Sequence, residues 1–294
     1  MRHIVSSDHL TYSFSRRHGP ALTVAPGDEV LLQCHDCMDN LIPLVPDGDG
    51  FRLHDPARGN PATGPVAVEG ALPGMTLAAE IIQVSCAERG LIWSTERSTG
   101  LLSVRIPEID GAQVGFAPGM SFPLDPMIGV IGVAPPTGAI PNTTPGRHGG
   151  NLDCADIKPG ATVYLPVTVP GALFGCGDIH ALQADGEVSG MGIEVAGEVL
   201  VRLDLLPRIV SPWPVVEQTG HFAVLTAAST LDEAADLAVA AARDLLRDQL
   251  GVDDAEAMML EGMLCDLRVN QIVDPLKGAR VCIPKSLLPV IDWE

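Results

Sequence analysis

Three times in its first 165 residues the chain places Pro-Gly just ahead of a strand-like run: Pro26-Gly27 before Val30-Leu31-Leu32, Pro73-Gly74 before Leu77-Ala78-Ala79, and Pro159-Gly160 before Val163-Tyr164-Leu165. Proline presets the first central torsion of a type II turn, and glycine takes the positive φ of the second. A chain reversed repeatedly in this way builds short neighbouring strands. No long helical periodicity precedes residue 229. Residues 1–210 are therefore predicted to form a mainly β domain, a sandwich or barrel of short strands joined by Pro-Gly turns. A content of 31 Gly and 25 Pro suits many tight turns.

The remainder, residues 211–294, reads as an α+β domain of two helices and a β-hairpin packed on the first. Pro212-Trp213-Pro214 is the expected connector. Thr230-Leu231-Asp232-Glu233 has the spacing of a capping box. It opens a helix with Leu231, Ala235, Ala238, Ala242 and Leu245 on one face, and Gly251 closes it. Asp253 with Glu256 starts a second helix. Leu267, Val269 and Val273 then form a strand that turns through Asp274-Pro275-Leu276-Lys277-Gly278 into Val281 and Ile283.

With 18 basic and 37 acidic residues the chain carries a formal charge of −19. That excludes nucleic acid and anionic membrane as partners, since both need a basic surface. No run of 18 apolar residues is present to span a bilayer. Seven cysteines without a signal-like N-terminal stretch are read as free thiols in a reducing cytoplasm. Cys34-His35-Asp36-Cys37 has no second Cys-x-x-Cys to complete a zinc ribbon, so Cys34 and Cys37 are expected to be packing residues.

Chemistry-bearing side chains concentrate in His148-Gly149-Gly150-Asn151-Leu152-Asp153 and Gly177-Asp178-Ile179-His180 through Asp185-Gly186-Glu187. Imidazole and carboxylate are the donors a divalent metal needs. On an extended segment Asp178 and His180, two residues apart, share a face and can reach one ion. Glu187 follows a turn that folds it back over them, while alternation alone does not bring Glu194 forward. Asp36 ends the strand Val30–Cys34, and Asn60-Pro61-Ala62-Thr63-Gly64-Pro65 precedes a short strand that ends at Glu69. Cys176 and Cys154 lie beside the cluster and offer a thiol nucleophile as an alternative. No Gly-x-Ser-x-Gly, phosphate loop or His-Glu-x-x-His is present.

At Asn60–Pro65 with Val68-Glu69-Gly70-Ala71, Gly129–Pro135, His148–Asp153, Gly177–Ala181 and Asp266–Val269 through Ile283-Pro284-Lys285, the chain resembles the acetamidase/formamidase family over nearly its whole length. The resemblance implies a mainly β enzyme with an α+β tail, cleaving the C–N bond of short linear amides to acid and ammonia. It also implies divalent ions, zinc and calcium among them, and a homo-oligomer of two or more copies. Two positions depart from the family pattern. Ala184 stands where a glycine is usual, and Gln33-Cys34 where Glu-Thr is usual.

The resulting expectation is a zinc-dependent amidase. Asp178 and His180 hold the ion, with Asp36, His148 or Asp153 completing the shell. Glu187 moves the proton, Asn151 with the Gly149-Gly150 N–H groups polarises the carbonyl, and Asn60, Thr63 and Glu69 contact substrate. The competing expectation is a non-enzymatic β protein with a structural calcium site built from Asp153, Asp178, Asp185 and Glu187.

Overall fold

The computed structural model describes residues 1–41, 58–95 and 102–293. Among them lie 23 strands and two helices, so the protein is mainly β with helices only near its C-terminus. The three Pro-Gly turns form as predicted. Gly27, Gly74 and Gly160 take φ of 86°, 99° and 88°. Each turn is closed by a backbone bond from the residue after glycine to the one before proline: Asp28 to Ala25, Met75 to Leu72, Ala161 to Lys158. They launch Asp28–Cys34, Thr76–Cys86 and Thr162–Pro166.

Those three strands belong to a nine-stranded sheet ordered Arg2–Val5, Asp28–Cys34, Gly197–Leu206, Thr76–Cys86, Thr162–Pro166, Val215–Glu217, His221–Ala228, Lys277–Pro284, Asp266–Gln271. A seven-stranded sheet runs Gly149–Asn151, Met127–Gly132, Phe174–His180, Ala62–Val68, Leu10–Thr11, with Leu22–Val24 and Glu194–Val195 alongside. The two sheets sandwich one apolar cluster. Val30, Leu32, Ile81, Val163, Val199 and Val201 come from the larger sheet, and Val66, Ile128, Ile131, Phe174 and Ile179 from the smaller. Thr63 Oγ1 ties the layers together by donating to the Gln33 carbonyl at 2.7 Å.

The larger sheet continues without a break from Thr162–Pro166 into Val215–Glu217, so the C-terminal strands extend the same sheet. Its outer part carries a second cluster. Phe222, Val224, Val281 and Ile283 pack under the helix α1 (Leu231–Leu250), which buries Ala234, Ala238, Ala241, Ala242, Leu245 and Leu246. The buried stripe lies slightly round from the predicted one, leaving Ala235 half-buried. Thr230 caps α1 by accepting from the Glu233 N–H. The Glu233 carboxylate accepts from the Ser229 hydroxyl. The helix α2 (Asp254–Leu264) has the full reciprocal box between Asp253 and Glu256. No helix among the described residues is long and apolar enough to cross a membrane.

A candidate metal centre

At one end of the smaller sheet is a cavity of about 160 Å³. Its walls include Cys37, Asn60, Asn151, Asp153, Asp178, His180, Glu187, Glu194 and Asp274, with Met38, Trp93, Thr143 and Met191 around them. Phe174–His180 supplies Asp178 and His180. The short strand Glu194–Val195 pairs antiparallel with its end and places Glu194 directly opposite His180. Asn151 ends the strand Gly149–Asn151, Asp153 follows it, and Asp274 arrives on the turn of the C-terminal hairpin.

The backbone is bent to aim these side chains. Asn60, Asp153, Asp178 and Glu187 all take left-handed φ, at 50°, 39°, 56° and 42°. Non-glycine residues adopt this region at a cost and cluster there at functional sites. Gly129 makes the room. A Cβ at that position would sit 2.6 Å from Asp153 Oδ1 and 2.7 Å from Asp178 Oδ2.

His180 is oriented from behind. Its Nδ1 pairs with Gln183 Oε1, which can only accept, so Nδ1 carries the proton. Gln183 Nε2 is itself anchored on the Asp153 carbonyl at 2.9 Å. Nε2 of His180 faces two acids, 3.0 Å from Glu194 Oε2 and 3.6 Å from Asp178 Oδ1. Asp153 Oδ1, Asp178 Oδ1 and Glu194 Oε2 are buried without a hydrogen-bond partner. Unpaired buried carboxylate oxygens are costly unless a cation meets them.

Electrostatics describe the same crowding. Burial raises Glu187 to about 8, opposed by His180 and reinforced by Glu194, Asp178 and Asp274. Burial likewise raises Glu194 and Asp274, each to about 7. Burial, with Glu187 and Asp274 beside it, holds Asp153 well above the usual carboxylate range. For His180, burial opposes the charge, but Glu194 and Asp178 outweigh it and raise the imidazole well above its ordinary value. The Cys37 thiol is pushed up by burial and then by Glu194 and Asp178. A positive ion at the centre would relieve all of these at once. The donors group as Cys37, Asp178 and Glu194 beside Asp153, His180 and Glu187. Each triad mixes carboxylates with one softer donor, a thiol in the first and an imidazole in the second, which suits zinc; calcium prefers six to eight oxygens.

The structure thus gathers Asn60, Asn151, Asp153, Asp178, His180 and Glu187 in one place, and leaves the other predicted residues outside. Asp36 is withdrawn because its Oδ1 accepts from the Met38 and Asn40 N–H groups at 3.0 and 2.8 Å, holding the turn after Cys34. The next residue, Cys37, faces the cavity instead of merely packing. His148 lies outside the cavity, edge-on to Phe14 with ring centroids 5.3 Å apart. Thr63 is the inter-sheet tie, and Glu69 is exposed at the end of its strand. The Gly149 N–H is spent on the Gly146 carbonyl. Gly150 is packed so closely that a Cβ would fall 2.2 Å from the Thr144 carbonyl oxygen.

Asn151 is present but differently employed. Both hydrogens of its amide go to carboxylates, Asp153 at 2.6 Å and Asp274 at 2.9 Å, so it aligns acids and has no donor left for a carbonyl. Asp185 turns away to Arg280, leaving the predicted all-oxygen calcium set incomplete. Cys154 and Cys176 are fully buried outside the cavity. Burial pushes the Cys154 thiol up to about 12, and a bond with Cys34, then burial, raises Cys176. Neither is placed or ionised as a nucleophile.

The sequence marks Cys37 as a packing residue and gives Asp274, Gly129 and Gln183 no role in the site, although each lies in a segment that it singles out. Glu194 could have been promoted had the short strand paired with His180 been foreseen.

Comparison with known proteins places the chain in a family. The family model described as the Acetamidase/Formamidase family matches residues 10–143 and 137–289. The crystal structure of an acetamidase from Bacillus halodurans superposes with a TM-score of 0.94 at 36% identity, covering 98% of this chain and 99% of that one. A predicted acetamidase/formamidase from Thermoanaerobacter tengcongensis superposes at 0.95 with 37% identity, over 99% and 98% of the two chains. A putative formamidase of Schizosaccharomyces pombe is 28% identical over 256 residues, 65% of this chain; the alignment spans only 62% of that longer relative. The fold, the order of the cavity segments and a match along nearly the whole sequence lead to one assignment: this chain belongs to the acetamidase/formamidase family.

Proposed function

We propose that the protein is a metal-dependent hydrolase that cleaves the C–N bond of short linear amides, of the formamide or acetamide kind, to acid and ammonia. The observation that carries this reading is the meeting of three buried carboxylate oxygens that lack a hydrogen-bond partner with Nε2 of His180 in one small cavity. Family membership supports the reaction class, and a cavity of about 160 Å³ suits a short substrate.

Asp178, His180 and Glu194 would hold the ion, with Cys37 or Asp153 completing the shell. The imidazole and thiol favour zinc. A bound zinc supplies a water of pKa near ~7 and a positive charge for the amide oxygen. Glu187, whose carboxylate lies close to Asp153 and His180, would take the proton from the attacking water and return it to the departing nitrogen as general base turned acid. Asn60 and Asn151 keep the acids aligned. Asn60 Nδ2 donates to Asp178 Oδ2 at 2.8 Å and to Asn151 Oδ1 at 3.3 Å. The cytoplasmic setting, supported by seven unpaired cysteines, and the homo-oligomer belong to the same proposal.

The test is ammonia release from formamide and acetamide before chelation, after chelation and after zinc is returned. Activity lost and regained supports the reading. Silence on every short amide overturns the reaction, and indifference to chelator overturns metal dependence. Light scattering on the same sample reads the assembly.

A further inference from the structure

Arg280 is a charged side chain only 1% exposed, and the reaction scheme above does not use it. It stands on Lys277–Pro284 in the outer part of the larger sheet and reaches three separate segments. One terminal nitrogen donates to both oxygens of Asp185, at 2.8 and 2.9 Å. Nε is in ion-pair contact with Asp156 Oδ2 at 2.8 Å, without hydrogen-bond geometry. The other terminal nitrogen donates to Asn270 Oδ1 at 2.9 Å, on the neighbouring strand. Planar, forked and permanently charged, a guanidinium can bind two carboxylates and an amide in fixed directions; an ammonium cannot.

The segments it joins are those that present cavity carboxylates. Asp185 is two residues before Glu187, and Asp156 is three residues after Asp153. Backbone bonds complete the junction: Gly186 N–H donates to the Asn270 carbonyl at 2.9 Å, and Ile272 N–H to the Gly186 carbonyl at 3.2 Å. Asp156 is further braced by His221 Nε2 at 3.2 Å. Glu187 needs this support because it sits at φ 42° at the end of a tight turn, a conformation that the local chain does not favour.

We propose that Arg280 is a positioning residue for the cavity: its buried guanidinium locks the Asp185–Glu187 turn and the Asp153–Asp156 segment to the C-terminal hairpin, and so fixes where Glu187 stands. The proposal rests on the hydrolytic reading for its kinetic consequence, but not for its structural one.

The experiment uses Asp185→Asn, since Asp185 is partly exposed and its loss leaves Arg280 paired with Asp156. Arg280→Lys is a second variant that keeps the charge and loses the fork. With Asp185→Asn, kcat on a short amide should fall roughly 10- to 100-fold, the range of a misplacement of ~1 Å, with KM within about twofold of the parent. Asp185→Glu should recover much of the loss. Hydrogen exchange at the Gly186 and Ile272 amides should accelerate in Asp185→Asn and Arg280→Lys at temperatures well below melting. Unchanged exchange in both variants overturns the proposal whether or not the protein hydrolyses amides. Accelerated exchange with parental kcat overturns the claim that the lock governs Glu187. A parent silent on all short amides sinks the hydrolytic reading alone and leaves exchange to decide the rest.

Discussion

His180 and Glu194 are direct cross-strand partners, and Nε2 of the imidazole comes within 3.0 Å of the carboxylate Oε2. Both groups are almost wholly buried, so the pair is shielded from water. Two strands thus hold two donors at a spacing fixed by the sheet rather than by a flexible loop. An ion bound there would meet donors that are already ordered, which lowers the cost of binding.

The support behind His180 should be measurable. Gln183→Leu removes the acceptor for Nδ1–H and frees the imidazole to change tautomer. Zinc affinity, read by competition with a chromogenic chelator, should fall roughly 10- to 100-fold, as for other outer partners of metal-bound histidines. Asp36→Asn keeps an oxygen to hold the turn at Met38 and Asn40 and should bind zinc as the parent does. A large loss in Asp36→Asn would return Asp36 to the ligand shell.

Glu187→Gln preserves shape but cannot accept the proton. Turnover of a short amide should drop by roughly 10²–10⁴, with zinc per chain unchanged by elemental analysis. Near-parental turnover would transfer the proton-moving role to another acid.

Gly129→Ala tests the crowding of the acids without a backbone penalty, because Gly129 is not among the residues at positive φ. The added methyl meets Asp153 Oδ1 and Asp178 Oδ2 well inside contact distance. One carboxylate must move. We expect a stability loss of about 1–3 kcal/mol by urea denaturation, together with much weaker zinc binding. Parental zinc affinity would show that these two oxygens do not share an ion.

His148 gives a pH signature away from the cavity. Burial lowers it to about 4, below the ~6.5 of the unfolded chain. As pH falls, the unfolded state takes up a proton that the native imidazole refuses, so stability is lost from about pH 6.5 down to about 4. Between pH 7 and pH 5 the contribution is roughly 2 kcal/mol. His148→Gln lacks it, so the parent should lose that much more than the variant over this interval in urea titrations. Parallel losses would mean that the native imidazole titrates normally.

Local signals in the sequence were reliable where local physics decides. The three Pro-Gly turns, the Thr230 and Asp253 caps and the Gly251 stop formed where the residues placed them, because torsions and caps are settled within four residues. The pairing of Asp178 with His180 in one cavity was also legible, although Asp178 reaches it from a left-handed backbone rather than from simple alternation. What the sequence could not show was how the chain leaves Cys34. The turn through Asp39 and Asn40, both at positive φ, spends Asp36 on the backbone and points Cys37 inward.

Glu194 and Asp274 are the clearest cases of tertiary decision. One becomes a wall of the cavity through strand register opposite His180, the other because the C-terminal hairpin docks against Asn151. Asp185, two residues before Glu187, goes to a guanidinium 95 residues away. By itself the sequence determined the turns, the caps, the β-rich class and the stock of metal-binding groups. Only the folded sandwich decided which of those groups meet, because the direction of a side chain follows from register and turn torsions that long-range packing selects.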